Sequence, residues 1–347
     1  MKEILEKLSN AAGPSGFEEN VSSVLFEMLK EKVDEIKKDK VGNVIALKKA
    51  KGERKGSVML TAHLDEIGMI VTAFDGSYIK FETLGGWDNR IFIGQKVIIF
   101  GKKVLKGVVG AIPPHYLRDK EKKVPSLEEL FIDIGMNEKD VKKYVRIGDP
   151  IYIDTTFKVL NGDIVTGKAL DNRASCAVIC SILMNIKNEE LKWDVYGVFT
   201  IQEESTSLGA YTSAFKIKPD FAIVLDVTHA TSFGVGEDRA YPFNKGPGIA
   251  IGPNIHNGLF NELKETAKRN EIPYFIEPIP GQTGTDASAI QVVDEGIPTA
   301  LLSVPIRYMH TPTEVLHMND LKRTERLIIS FLREFDGVKE EVIDVHK

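Results

Sequence analysis

The run Gly197-Val198-Phe199-Thr200-Ile201-Gln202-Glu203-Glu204 constrains the fold more than any other stretch of the chain. Its apolar part is β-branched and aromatic, the pattern of a central strand covered on both faces. It runs directly into two carboxylates, which places them at a strand's carboxyl end, where open α/β sheets bind their ligands. Successive strand side chains point to opposite sides. One glutamate is then free to hold a metal while its neighbour faces water or substrate. A lone Glu-Glu pair is more often a solvated strand end, so its meaning depends on its company.

That company follows a pattern. Ser57-Val58-Met59-Leu60-Thr61-Ala62 reads as another buried strand, ending at His63-Leu64-Asp65-Glu66. Phe221-Ala222-Ile223-Val224-Leu225-Asp226 reads as a third, and Thr299 to Val304 as a fourth. Helical segments separate them, near Ser207–Phe215, Leu259–Arg269 and Asp320–Phe335, with a further strand at Tyr274 to Glu277. Alternation of this kind predicts an α/β fold, a mostly parallel sheet covered by helices on both faces. Ser15 with Glu18 matches a capping box for a helix carrying Val21, Leu25 and Leu29. Asp171 or Asn172 is the expected N-cap of the helix running to about Met184.

From about Ile67 to Asp163 the character changes to short β-like runs, Met69–Phe74, Tyr78–Leu84, Val97–Phe100 and Val104–Val109. Turn signals at Asp75-Gly76, Gly85-Gly86 and Ile112-Pro113-Pro114 punctuate them, and Asn137–Tyr144 is the best helical candidate. The stretch reads as an inserted small β-barrel or sandwich. The expected organisation is a discontinuous catalytic α/β domain, residues 1–66 and 164–347, interrupted by an inserted β-domain at 67–163.

Bulk properties exclude several classes. Charge is balanced, 45 basic against 50 acidic side chains, with no basic block, so no nucleic-acid partner is expected. No apolar run approaches the roughly 20 residues of a membrane span, and the charged start Met1-Lys2-Glu3 lacks a signal-peptide core. Cys176 and Cys180, four apart on a helix, read as buried thiols. A cytoplasmic setting is the expectation.

The chemistry lies in residues that each fall where a strand ends or a helix begins: His63, Asp65, Asp171, Glu203, Glu204, Asp226 and His310. Singly, each has a bland reading as a cap, a turn acid or a satisfied histidine. Together, two histidines and three carboxylates offer enough nitrogen and oxygen donors for two divalent ions if one carboxylate bridges. A further carboxylate must stay off the metals as base and acid, and Asp65, two residues from His63, is placed to orient that imidazole.

Six ordered motifs resemble those of the co-catalytic metalloaminopeptidases of the tetrahedral type, which include glutamyl and deblocking aminopeptidases. They are Ala62-His63-Leu64-Asp65-Glu66-Ile67-Gly68, Gly167-Lys168-Ala169-Leu170-Asp171-Asn172-Arg173, Gln202-Glu203-Glu204, Leu225-Asp226-Val227-Thr228, Gly284-Thr285-Asp286-Ala287 and Arg307-Tyr308-Met309-His310-Thr311-Pro312. The resemblance spans essentially the whole chain. It implies one metal on His63, Asp171 and Glu204 and a second on Asp171, Asp226 and His310, with Asp171 bridging. It further implies Glu203 as general base and acid, Asp65 orienting His63, and zinc or cobalt as the two ions. Peptides are the implied substrates, and a dimer-based homo-oligomer, up to a tetrahedral dodecamer, the implied assembly. The same metal pair would also serve an amidohydrolase or deacylase. An endoglucanase ranks low, because a glycosidase needs a carboxylate pair and no histidine ligands.

One departure stands beside the base. The family usually continues after the glutamates with Val-Gly, whereas this chain has Ser205-Thr206-Ser207. That change is the only support for a third reading, a weakly active shell subunit. His115, His229, His256, His317 and His346 carry no motif role.

Overall fold

The buried apolar runs at the chain's centre become adjacent parallel strands. In the computed structural model, which describes residues 1–52, 54–116 and 124–337, Asp194–Thr200 pairs in parallel with Ser57–His63. Ser57–His63 pairs in the same sense with Phe221–His229, and that strand with Thr299–Arg307. These four form the middle of an 11-stranded sheet whose outer pairs are antiparallel, except for the parallel pair Gly248–Ile251 and Phe275–Pro278. Their burial is nearly complete, as continuous hydrophobic sequence requires of a covered parallel sheet.

Helices lie on both faces. Leu170–Asn185 and Met318–Glu334 pack together on one side, and Leu208–Ile217 and Asp286–Ile290 on the other. The close approach of the first helix has a residue-level cause: a Cβ at Gly197 would lie 2.5 Å from a Leu183 methyl. Glycine in that strand lets the helix approach the sheet closely.

The inserted segment closes into a six-stranded barrel, Gly68–Asp75, Tyr78–Leu84, Leu130–Asp133, Val104–Ala111, Lys96–Phe100 and Pro150–Ile153 in spatial order. It has its own apolar core, including Met69, Phe81, Val97 and Ile132, separate from that of the large sheet. Two of its strands, Leu130–Asp133 and Pro150–Ile153, are too short to stand out in the sequence. Lys158–Asn161 hydrogen-bonds to Ile164–Gly167 in the large sheet, so the barrel strands end earlier than the composition change suggests. Asn137 does cap a helix, Glu138–Tyr144, through its side chain.

Two expected caps do not form. Ser15 Oγ lies 2.8 Å from Ser205 Oγ, and the Glu18 carboxylate accepts from the Gly16 and Gln202 N–H groups. The helix Glu19–Leu29 therefore starts without a side-chain cap, because both candidate groups are engaged by the turn beside Glu203. The helix Leu170–Asn185 is preceded by Ala169 in the left-handed region, and Asp171 and Asn172 have non-helical dihedrals within it. Asp171 is turned away to other partners, and Asn172 Nδ2 donates to the Leu225 carbonyl.

Sheet and barrel meet at a buried ion pair. Both Glu66 oxygens lie 2.8 Å from Lys168 Nζ, with Arg173 3.7 Å away, and Gly13 N–H donates to Glu66 Oε1. Lys168 also lies over the ring of Tyr152 in the barrel. Removing one member of a buried pair leaves uncompensated charge, at a cost of about 3–5 kcal/mol. Glu66→Leu should therefore lower the urea midpoint of unfolding substantially. An unchanged midpoint would show that Lys168 and Arg173 find other partners.

Candidate active site

The parallel core brings distant residues together at one edge. His63 closes its strand, and Asp226 lies on the next strand over. The strand Asp194–Thr200 ends before the glutamates. Gln202 takes a left-handed conformation (φ 55°), and Glu203 and Glu204 occupy the turn that follows. Alternation along a strand therefore does not separate the two glutamates, and both line one cavity of about 530 Å³ with His63, Asp171, Asp226 and His310. A larger hollow of about 870 Å³, between Phe17 and Val41 on one side and Phe100 of the barrel on the other, holds no histidine.

Asp171 is the centre of the cluster. Its Oδ1 lies 3.1 Å from His63 Nε2 and its Oδ2 3.3 Å from His310 Nε2. His63 Nε2 is also 3.9 Å from Asp226 Oδ1 and 3.9 Å from Glu203 Oε2, while His310 Nε2 is 3.4 Å from Glu204 Oε1. Two donor groups result, His63–Asp171–Asp226 and Asp171–Glu204–His310, each with its donor atoms within 4.8 Å of one another. The implied pairing had Glu204 with His63 and Asp226 with His310. Adjacent strands put Asp226 beside His63 instead, and the turn carries Glu204 to His310.

Other side chains hold this arrangement in place. Asp65, fully buried, lies 3.4 Å from His63 Nδ1 and accepts from the Glu203 and Glu204 N–H groups at 3.0 and 3.1 Å. It stands beside the imidazole and anchors the glutamate turn. Glu314, which the sequence reading passed over, accepts from the Asp171 N–H through one oxygen and from the His310 N–H through the other, both at 3.0 Å. An acid abutting the apolar run Val315-Leu316, four residues after His310, was the available signal. Thr200 donates to Asp286, a second buried acid, which belongs to one of the six motifs but had no role assigned to it. Gly85-Gly86, expected only as a turn, closes over the cluster. A Cβ at Gly86 would stand 3.1 Å from His310 Nδ1, and one at Gly85 3.2 Å from Glu204 Oε2.

The changed loop fits around these groups. Ser205 bonds to Ser15, and Ser207 takes the positive φ (52°). Of the unassigned histidines, His256 and His317 cap helices through their side chains, His229 lines the cavity and His115 packs against Tyr116. His346 lies outside the described residues.

Charge is badly balanced among these groups. Burial, reinforced by Asp226, Asp286 and Glu204, pushes Glu203 up to about 9 against the opposing pull of His63. Hydrogen bonds to Asp171 and Glu204 hold His310 up near 11. Burial raises Asp171 too, but bonds from both imidazoles outweigh it and keep that carboxyl below its usual range. Clustered carboxylates that lack counter-charge retain protons. A divalent cation in each donor group would supply that charge, and mixed imidazole and carboxylate donors suit zinc-like ions. The donor sets fit two such ions.

This fold and this set of convergent side chains define an aminopeptidase-type hydrolase. The model of the M42 glutamyl aminopeptidase family matches residues 42–327, and the chain belongs to that family. A lysyl aminopeptidase of Pyrococcus furiosus is 33% identical, over 96% of this chain and 96% of its own. A TET aminopeptidase from a marine-sediment thaumarchaeon superposes with TM-score 0.91 at 32% identity, covering 96% of each chain. The TET1 peptidase of Pyrococcus horikoshii, described as assembling into a tetrahedron or a large octahedral shell, superposes at 0.85 with 32% identity, covering 96% of this chain and 99% of its own. A Thermotoga maritima neighbour described as an endoglucanase superposes at 0.78 with 30% identity, covering 95% and 96%.

Loss of a group that orients metal ligands typically costs 10–100-fold in affinity. Glu314→Ala should weaken zinc binding by about that factor, read by competition with a chelator. An affinity equal to the parent's would mean that Asp171 and His310 hold their positions without it.

Proposed function

We propose that this chain is a dinuclear metal-dependent aminopeptidase that hydrolyses the N-terminal peptide bond of peptides. The observation that carries the reading is the orientation of Asp171, one oxygen toward each of two histidines that each have a second carboxylate beside them. His63, Asp171 and Asp226 would hold one ion, and Asp171, Glu204 and His310 the other, zinc or cobalt in each case. When bound, the ions supply Lewis acidity toward the scissile carbonyl and the attacking water.

The protein's own groups do the rest. Glu203 belongs to neither donor group yet lines the same cavity, so its carboxylate is free to take the water's proton. It then delivers that proton to the leaving amine nitrogen. Asp65 keeps the His63 ring in position and anchors the Glu203 backbone. Divalent charge nearby would draw Glu203 down from its raised value and keep it ionised. Two histidines in the donor set favour amide hydrolysis over glycoside cleavage, which needs only paired carboxylates.

Glu203→Gln keeps size and hydrogen bonding but cannot accept a proton. It should cost about 10²–10⁴ in kcat on amino-acid amides with two bound metals retained, whereas Glu204→Gln should lower metal content. Metal loss in the first variant and not in the second would reverse the two roles.

Assembly as a dimer-based homo-oligomer is part of the same proposal, and the shell-forming TET1 neighbour supports it. Sedimentation of the metal-loaded protein should show species well above the 38.6 kDa monomer. Monomer alone at micromolar concentration would count against it.

A further inference from the structure

The cavity that holds the donor atoms has a second polar feature in its lining. Glu277, on the strand Phe275–Pro278, lines it and is only 8% exposed, and its Oε2 has no hydrogen-bond partner among the described residues. The neighbouring strand makes room for that carboxylate, since a Cβ at Gly248 would lie 3.1 Å from Oε2. Burial pushes the Glu277 carboxyl up, while the hydroxyls of Ser303 and Thr228 and the nearby His229 act the other way. No lysine or arginine lines the cavity. A desolvated carboxylate with one bare oxygen and no cation is costly to maintain.

Sheet register gives the offset of Glu277 from the strand of Asp226. Asp226 pairs with Ser303, and Ser303 with Gly248, the residue against which Glu277 rests. Two strand spacings, about 10 Å, therefore separate the Asp226 backbone from the Gly248 backbone, beside which the Glu277 carboxylate lies. The substrate's α-amino group, two bonds from the scissile carbonyl carbon, belongs at the Asp226 end of that span, and the far end is left over. It suits the end of a long side chain on the same residue. The cavity lining also includes Val227, Pro278, Ile279 and Leu301, an apolar surface for a methylene stem.

We propose that Glu277 is a specificity-determining residue, pairing with the ammonium or guanidinium of a lysine or arginine at the substrate's N-terminal position. The stem packs along the apolar wall, and the cationic head meets the bare Oε2 with the Ser303 and Thr228 hydroxyls beside it. A glutamate or aspartate in that position would set like charges together in a buried space, so the site rejects acidic residues. This inference rests on the aminopeptidase reading for the direction in which substrate enters, although occupation of the pocket by lysine can be measured without turnover.

The test uses the full chain loaded with zinc, as wild type and as Glu277→Gln. kcat/KM is measured on lysine, arginine, leucine and glutamate amides, alongside calorimetric binding of free lysine and leucine and the melting temperature. Wild type should favour lysine and arginine over glutamate by at least about 100-fold, as loss of a buried charge-assisted pair predicts. Glu277→Gln should lose about 100-fold on the basic substrates, chiefly in KM, and on lysine binding, with leucine turnover changed by less than about threefold. An unchanged lysine-to-leucine ratio, or equal losses on every substrate, would overturn the assignment. If no amide is cleaved by wild type, the aminopeptidase reading falls. Lysine binding then decides Glu277 by itself: a loss in Glu277→Gln upholds its pairing with a cation, and equal binding refutes it.

Discussion

Asp171 faces one imidazole with each carboxylate oxygen, 3.1 Å from His63 and 3.3 Å from His310. The rest of the site depends on that straddling position. Asp65, Asp171, Asp226, Asp286 and Glu314 are all buried around it, with Glu203 and Glu204 at the cavity wall. In water such a group of acids would repel and disperse; inside a protein they need counter-charge. Two divalent ions sharing Asp171 would meet that need, which is why the charge imbalance and the geometry favour the same proposal.

Topology makes the arrangement possible. Three adjacent parallel strands deliver His63, Asp226 and the glutamate turn to one edge, and the loop after a fourth returns His310. The barrel contributes its Gly85-Gly86 corner, which lies against Glu204 and His310 because neither residue has a side chain to intrude. The buried Glu66–Lys168 pair ties that barrel to the sheet next to His63 and Asp65. Insert and catalytic half are therefore joined at the site itself.

Much of this was legible in the chain. Continuous apolar runs ending in His or acid mark parallel strands and their ligand-binding ends, and the barrel's longer strands announce themselves through turn residues. What was not legible has physical causes. Strands of four residues, such as Leu130–Asp133 and Gly248–Ile251, carry too little periodicity to read. The turn at Gln202 breaks the strand two residues after Thr200, and no glycine marks its positive φ. The alternation expected for Glu203 and Glu204 fails there. Ser15, Asp171 and Glu18 all have the residue types of caps, and tertiary partners outcompeted the local role in each. Which carboxylate joins which histidine is a matter of strand order, visible only once the sheet is assembled. Glu314 was missed because a single acid before a short apolar run has no local meaning; its role appears only with both N–H groups in view.

The central claim, two ions sharing Asp171, is tested most directly by anomalous scattering at the zinc edge from crystals of the zinc-loaded protein. Two peaks are predicted, one contacted by His63, Asp171 and Asp226 and the other by Asp171, Glu204 and His310. A single peak, or two peaks with Glu204 on the ion held by His63, would contradict the account.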